Sequence, residues 1–338
     1  MAVSMAQHQV LDDELHVDEA ARVLLEVEAG FSFVALGTVV VDHALAHGQH
    51  FFLELGHVPL LTQDLDANLF EFVADGPVAG GKTGPGQGLV FLHDSHGEHQ
   101  QTSGPRPIDN QLFFVRLAQR IVHLLTMHSA AGRLYEVDVR LRPSGKGGLL
   151  VTNIEAFAEY QQREAWTWEH QALLHARAVA GAPQLRARFE TVRLEVLCEH
   201  VRRETLRDEV RNMRERMRRE LSRGDAQRFD LKQDPGGIAD IEFLAQYWAL
   251  RWAHEYPAVA MFSDTIRQLE SVASADLVPQ ATVDVLTAAY RAYRARIHRL
   301  SLDAAPAIVP VEEFTEARAG VTAVWDATLG ADSHASRV

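Results

Sequence analysis

Leu134-Tyr135-Glu136-Val137-Asp138-Val139-Arg140-Leu141-Arg142-Pro143-Ser144-Gly145-Lys146-Gly147-Gly148-Leu149-Leu150 is the stretch whose reading decides the fold. Over residues 135–142 Tyr135, Val137, Val139 and Leu141 alternate with Glu136, Asp138, Arg140 and Arg142, the period of a half-buried strand. One face is apolar, and the other carries two acids followed by two arginines. Lining a cleft, the carboxylates would hold a divalent cation and the guanidiniums would receive phosphate oxygens. On an exposed strand the same charges would simply pair with one another, and the spacing leaves both readings open. Pro143 and Gly145 end the strand in either case.

Working outward, 338 residues leave room for two or three domains, and 47% hydrophobic content is enough for real cores. The single cysteine, Cys198, excludes a disulfide framework and suits a reducing cytoplasm. The longest apolar run, residues 31–41, is broken by Ser32 and Gly37 and is too short to cross a bilayer. The first residues lack the basic cluster that opens a secretory signal, so a cytoplasmic location is expected. The net charge of −13 disfavours nucleic acid as a partner. Its distribution is uneven: residues 1–88 hold 2 basic and 13 acidic residues, whereas the other 250 hold 31 and 33. So abrupt a change marks either a domain boundary near residue 88 or a change in how the sequence came to be written.

Before that boundary a helix is expected at 18–28 and a buried strand at 31–41. Gly76 to Thr83 fits the phosphate-loop pattern, with Gly81, Lys82 and Thr83 at its end. Gly84-Pro85-Gly86-Gln87-Gly88 cannot easily start the helix that such a loop requires, so a flexible connector is the favoured reading. Residues 89–94 then read as a short buried strand, and 112–126 as a helix with Phe113, Leu117, Ile121 and Leu125 on one face. Beyond Leu150 the texture is helical. Asn153 caps a helix from Ile154, and further helices are expected at 165–178, 183–200, 208–221, 239–256, 263–271, 283–300 and 312–327. The segment 229–243 joins Gly236-Gly237 to a helix carrying Asp240 and Glu242. It reads either as a close backbone approach to another domain or a phosphate, or as an ordinary helix start with acids at its dipole.

Four segments, taken together and in this order, resemble the bacterial glutamine synthetase adenylyltransferase family. They are Leu134 to Gly145, Glu164-Ala-Trp-Thr-Trp-Glu-His-Gln-Ala-Leu173, Met213-Arg-Glu-Arg-Met217, and Phe229-Asp-Leu-Lys with Gly236-Gly-Ile-Ala-Asp-Ile-Glu-Phe243. The likeness runs from about residue 89 onward and is greatest to the C-terminal, adenylylating half. It implies an α+β chain: a partial polymerase-beta-type nucleotidyltransferase domain over 89–150, then an α-helical bundle over 151–338, after an unmatched acidic region over 1–88. The implied reaction moves AMP from ATP to a tyrosine of glutamine synthetase, with Mg²⁺ as cofactor and ATP as substrate. Two Mg²⁺ ions held by three carboxylates would neutralise the triphosphate. Asp138 matches the third carboxylate and is the expected catalytic residue, with Glu136 beside it as a second metal ligand. Arg140, Arg142 and Ser144 are placed to bind the nucleotide's phosphates. A nitrogen-signalling regulatory protein is a second implied partner.

One departure stands out. The family sets Gly-Ser and then Asp-x-Asp immediately before the strand that begins here at Leu89, and the two aspartates fall on Gly86 and Gly88. Asp64 and Asp66 lie 22 residues too early to replace them. Residues 1–88 are therefore expected to lie outside the family's reading frame, and AMP transfer is expected to be impaired. The alternative is a non-catalytic module that still binds glutamine synthetase or a signalling protein.

Overall fold

The computed structural model describes residues 69–74, 87–94, 100–102, 105–129, 132–133 and 137–330. The helix expected at 18–28, the strand at 31–41, Asp64, Asp66, Glu136 and the Gly81-Lys82-Thr83 loop lie outside them.

A five-stranded sheet is built on β2 (Gln87–His93). On one side β2 pairs antiparallel with β1 (Leu69–Ala74). On the other side β3 (Val137–Asp138) runs parallel to its start and β4 (Val151–Asn153) parallel to its end. The residues between β3 and β4 leave the sheet as a turn and come back to the same edge. β5 (Ala176–Ala180) adds antiparallel to the far edge of β1.

β2 reads as an unbroken apolar run because both its faces are covered. Leu89 and Phe91 join Phe114, Ala118 and Val151 in a small core under α1 (Asn110–Thr126), whose first turn is capped by the Asp109 carboxylate on the Leu112 amide. Val90 and Leu92 point the other way, into a larger core shared with the helical bundle. Alternation along β2 thus joins two cores through one strand.

The bundle comprises α2 (Ile154–Arg163), α3 (Thr167–Leu174), α4 (Pro183–Glu195), α5 (Arg203–Leu221), α6 (Ile238–Trp252), α7 (Thr265–Ser274), α8 (Gln280–Leu302) and α9 (Thr315–Leu329). α6 is buried along most of its length and packs against α5, α7, α8 and α9, as expected of a helix that is apolar nearly all round. A ribbon of β6 (Arg228–Asp230) and β7 (Ile308–Pro310) ties the segment before α9 back to the start of the α6 loop.

Two sequence expectations are corrected. The strand expected over 135–142 is confined, among its described residues, to Val137–Asp138. The Asp138 carboxylate takes the Arg140 backbone N–H at 2.9 Å, which turns the chain, and Leu141 then packs on the bundle core instead of continuing the sheet face. The helix expected over 165–178 stops at Leu174 and becomes a strand. There the buried Arg193 guanidinium donates to the Leu173 and Leu174 carbonyls and to Ala260, closing the helix end while Ala176–Ala180 pairs with β1.

Gly236-Gly237 resolves as a packed helix start. Gly236 has φ +81°, and a Cβ there would lie 2.6 Å from the Arg318 carbonyl, so α9 presses directly on this backbone. Asp240, 1% exposed, accepts the Gly236 N–H at 2.7 Å, Arg214 Nε at 2.7 Å and Arg218 Nη2 at 3.1 Å. Replacing it strands two guanidiniums, one of them fully buried. Asp240→Ala is expected to cost about 3–5 kcal/mol of stability, read from the shift of a urea unfolding midpoint.

Candidate functional site

The site is set by backbone pairing before any side chain is considered. In the parallel ladder of β2 with β3, Gly88 stands opposite Asp138 and Gln87 opposite Val137. Paired residues on neighbouring strands point to the same face. Val137 and Val139 pack on the small core under α1, so Gly88 and Asp138 both face the bundle. The position that the resemblance assigns to a second metal-binding aspartate is therefore adjacent to Asp138, and it holds a residue without a side chain.

Asp138 is nearly buried and Arg140 half-exposed, with side-chain exposures of 10% and 42%. Arg140 Nε reaches Oδ1 at 2.9 Å and Oδ2 at 2.8 Å, and its Nη2 reaches Oδ2 at 2.5 Å. This hydrogen bonding holds the Arg140 guanidinium above its usual pKa. Both carboxylate oxygens are thus engaged by a cation of this chain.

Arg142 is used differently. Its Nη1 donates to the Val139 carbonyl at 2.6 Å and its Nε to the Gly148 carbonyl at 3.2 Å, a staple across the turn. Ser144 is exposed at the tip with φ 60°, followed by Gly145 at φ 55° and a single 3-10 turn at Gly145–Gly147. Gly148 is crowded beneath Pro143, where a Cβ would come within 1.9 Å of the carbonyl oxygen. The turn is a tightly determined piece of backbone, with left-handed residues of the kind that gathers at ligand-binding loops.

Sequence reading missed a partly buried pair that joins two helices of the bundle. Tyr160 in α2 donates its hydroxyl to Glu169 of α3 at 2.9 Å. Burial and the Glu169 charge push the Tyr160 phenol up to about 12, and burial raises Glu169. The available signal was the Glu169 of the tryptophan-rich segment, but its partner lies nine positions earlier across a helix break.

A resident Mg²⁺ does not fit the described residues. It takes carboxylate and water oxygens in near-octahedral geometry, whereas Asp138 is occupied by Arg140 and Gly88 offers nothing. No group of three or more His, Cys, Asp or Glu among the described residues is arranged to hold a metal. No described helix is long and apolar enough to cross a membrane.

Comparison with known proteins finds sequence similarity to two families of nucleotidyl-transfer enzymes. Residues 86–192 match the family described as glutamate-ammonia ligase adenylyltransferase, and residues 208–305 match that of GlnD PII-uridylyltransferase. The first of these matches takes in four of the sheet's five strands and the candidate site, with β1 lying before it. The bifunctional glutamine synthetase adenylyltransferase/adenylyl-removing enzyme of Thioalkalivibrio sulfidiphilus is 50% identical over 258 residues, 76% of this chain and 27% of that protein. Its counterpart from Hahella chejuensis is 45% identical over 312 residues, 90% of this chain and 32% of that protein. The chain therefore spans about a third or less of these relatives. The second match is longer than the 250 residues after Gly88, so it reaches into the acidic first segment.

The pairing of Asp138 with Arg140 can be measured directly. A double-mutant cycle of Asp138→Asn and Arg140→Gln is expected to give a coupling of about 1 kcal/mol in urea unfolding, kept small by the exposure of the arginine.

Proposed function

We propose that this chain is the nucleotidyl-transfer portion of a glutamine synthetase adenylyltransferase, from its adenylylating half. In the reaction so assigned, a tyrosine hydroxyl of glutamine synthetase loses its proton to solvent and its oxygen attacks the α-phosphorus of ATP. The bond to the β-phosphate oxygen breaks, AMP passes to the tyrosine, and pyrophosphate leaves with the displaced electron pair. What supports the reading is the match over 86–192 together with the placing of Asp138 on the sheet face turned to the bundle.

As it stands, the chain transfers AMP poorly. Gly88 opposite Asp138 removes a carboxylate from the position where the family's second metal-binding aspartate falls, and Arg140 neutralises the one that remains. A bound metal contributes several kcal/mol of charge stabilisation to such a transition state, so its loss costs on the order of 10³-fold in rate. The turn and the bundle are intact, which favours a second role as a module that docks on glutamine synthetase or on a nitrogen-signalling protein. The buried Cys198 suits a reducing, cytoplasmic setting for either role.

The test is transfer of label from [α-³²P]ATP to glutamine synthetase with Mg²⁺. The unaltered chain is expected to give none above background, while Gly86→Asp/Gly88→Asp gains activity that Asp138→Asn removes again. Robust transfer by the unaltered chain, abolished by Asp138→Ala, would overturn the assigned defect. A pull-down of glutamine synthetase by the unaltered chain supports the docking role.

A further inference from the structure

We propose that Arg142 serves the reaction as a positioning residue and not as a phosphate ligand: its guanidinium shapes the turn between β3 and β4 by bridging carbonyls on the two arms. The task given to the turn, receiving the phosphates of a nucleoside triphosphate, rests on the nucleotidyl-transfer reading above; the bridge itself does not.

The turn leaves the sheet after Asp138 and returns at Val151, so the strand ladder fixes its two ends and leaves its course open. Two nitrogens of Arg142 reach opposite arms. Nη1 donates to the Val139 carbonyl at 2.6 Å, directly after Asp138, and Nε donates to the Gly148 carbonyl at 3.2 Å, on the way back to β4. The Arg142 carbonyl in turn accepts the Gly145 N–H at 2.9 Å, so one residue is bonded to both arms and to the tip. The Gly147 and Gly148 amides close the tip on the Ser144 and Gly145 carbonyls, each at 3.2 Å. The backbone so held keeps Ser144 at φ 60°, a conformation that costs a non-glycine residue energy and persists only where its surroundings impose it. Because Val139 follows Asp138, the same bridge sets the carboxylate's strand end and the turn as one piece. It requires donors at two separate points of a planar fork. Lysine carries the same charge but all its donors on one nitrogen, so it cannot reproduce the pair. Arg142 would not touch the reacting atoms, and its effect on the reaction passes through the turn alone.

Hydrogen exchange followed by mass spectrometry on the full chain reads the bridge, and calorimetric titration with ATP in the absence of divalent cation reads its use. In both Arg142→Ala and Arg142→Lys, amides of residues 144–148 are expected to exchange about tenfold faster, the loss of one charge-assisted hydrogen bond, while those of α6 stay unchanged. A turn that keeps its bridged shape for a smaller fraction of the time weakens binding by that fraction, so both variants are expected to bind ATP about tenfold more weakly than the unaltered chain. A phosphate ligand gives a different pattern, because lysine keeps the charge and remains a good phosphate binder. Near-native ATP binding by Arg142→Lys would therefore overturn the proposal, as would native-like exchange of 144–148 in Arg142→Ala. If the unaltered chain binds no ATP, the nucleotide-receiving task of the turn falls, and the exchange result still decides the bridge.

Discussion

β2 carries apolar side chains on both faces, and the arrangement of the molecule follows from the need to cover both. Leu89 and Phe91 require a layer on one side, which α1 provides, while Val90 and Leu92 require one on the other, which the bundle provides. A strand so enclosed must also pair along both edges, since buried backbone N–H and C=O groups cannot be left without partners. One edge is met by β1. The other is met by two short strands separated by a turn, and that interruption is what sets Asp138 and the turn between sheet and bundle. Position 88 stands beside Asp138 because of this pairing, whatever residue occupies it.

The elements legible in the sequence are those whose signals are local. Asn153 was expected to cap a helix from Ile154, and its side chain accepts the Glu155 amide at 2.8 Å. The periodicity of Phe113, Leu117 and Ile121 likewise marked the helix that begins at Asn110. Where the reading failed, a distant partner decided. Ala-Arg-Ala-Val-Ala over 176–180 has the propensity of a helix but lies along the free edge of β1, and the backbone bonds available there override the propensity. The alternation through Arg142 looked like a strand because Asp138, Arg140 and Arg142 share one parity. Side-chain capture of the Arg140 amide turned the chain out of the sheet before that parity mattered.

The candidate site was legible to the same degree. Residue types and order pointed to Asp138, Arg140, Arg142 and Ser144, and the structure brings all four to one strand end and the turn that follows. Their spacing did not reveal that Arg140 is bound to Asp138 or that Arg142 is spent on two backbone carbonyls. Those uses depend on the turn geometry. The pairing of Tyr160 with Glu169, set in different helices, was out of reach of any motif argument.

The central claim is that Arg140, and not a divalent cation, is the counter-ion of Asp138 in this chain. It is tested most directly by nuclear magnetic resonance of the Arg140 Nε–H during Mg²⁺ titration. A resonance that is present in the unaltered protein, lost in Asp138→Asn and unmoved by added Mg²⁺ is the predicted result. A saturable shift or loss of that resonance as Mg²⁺ is added would contradict the account.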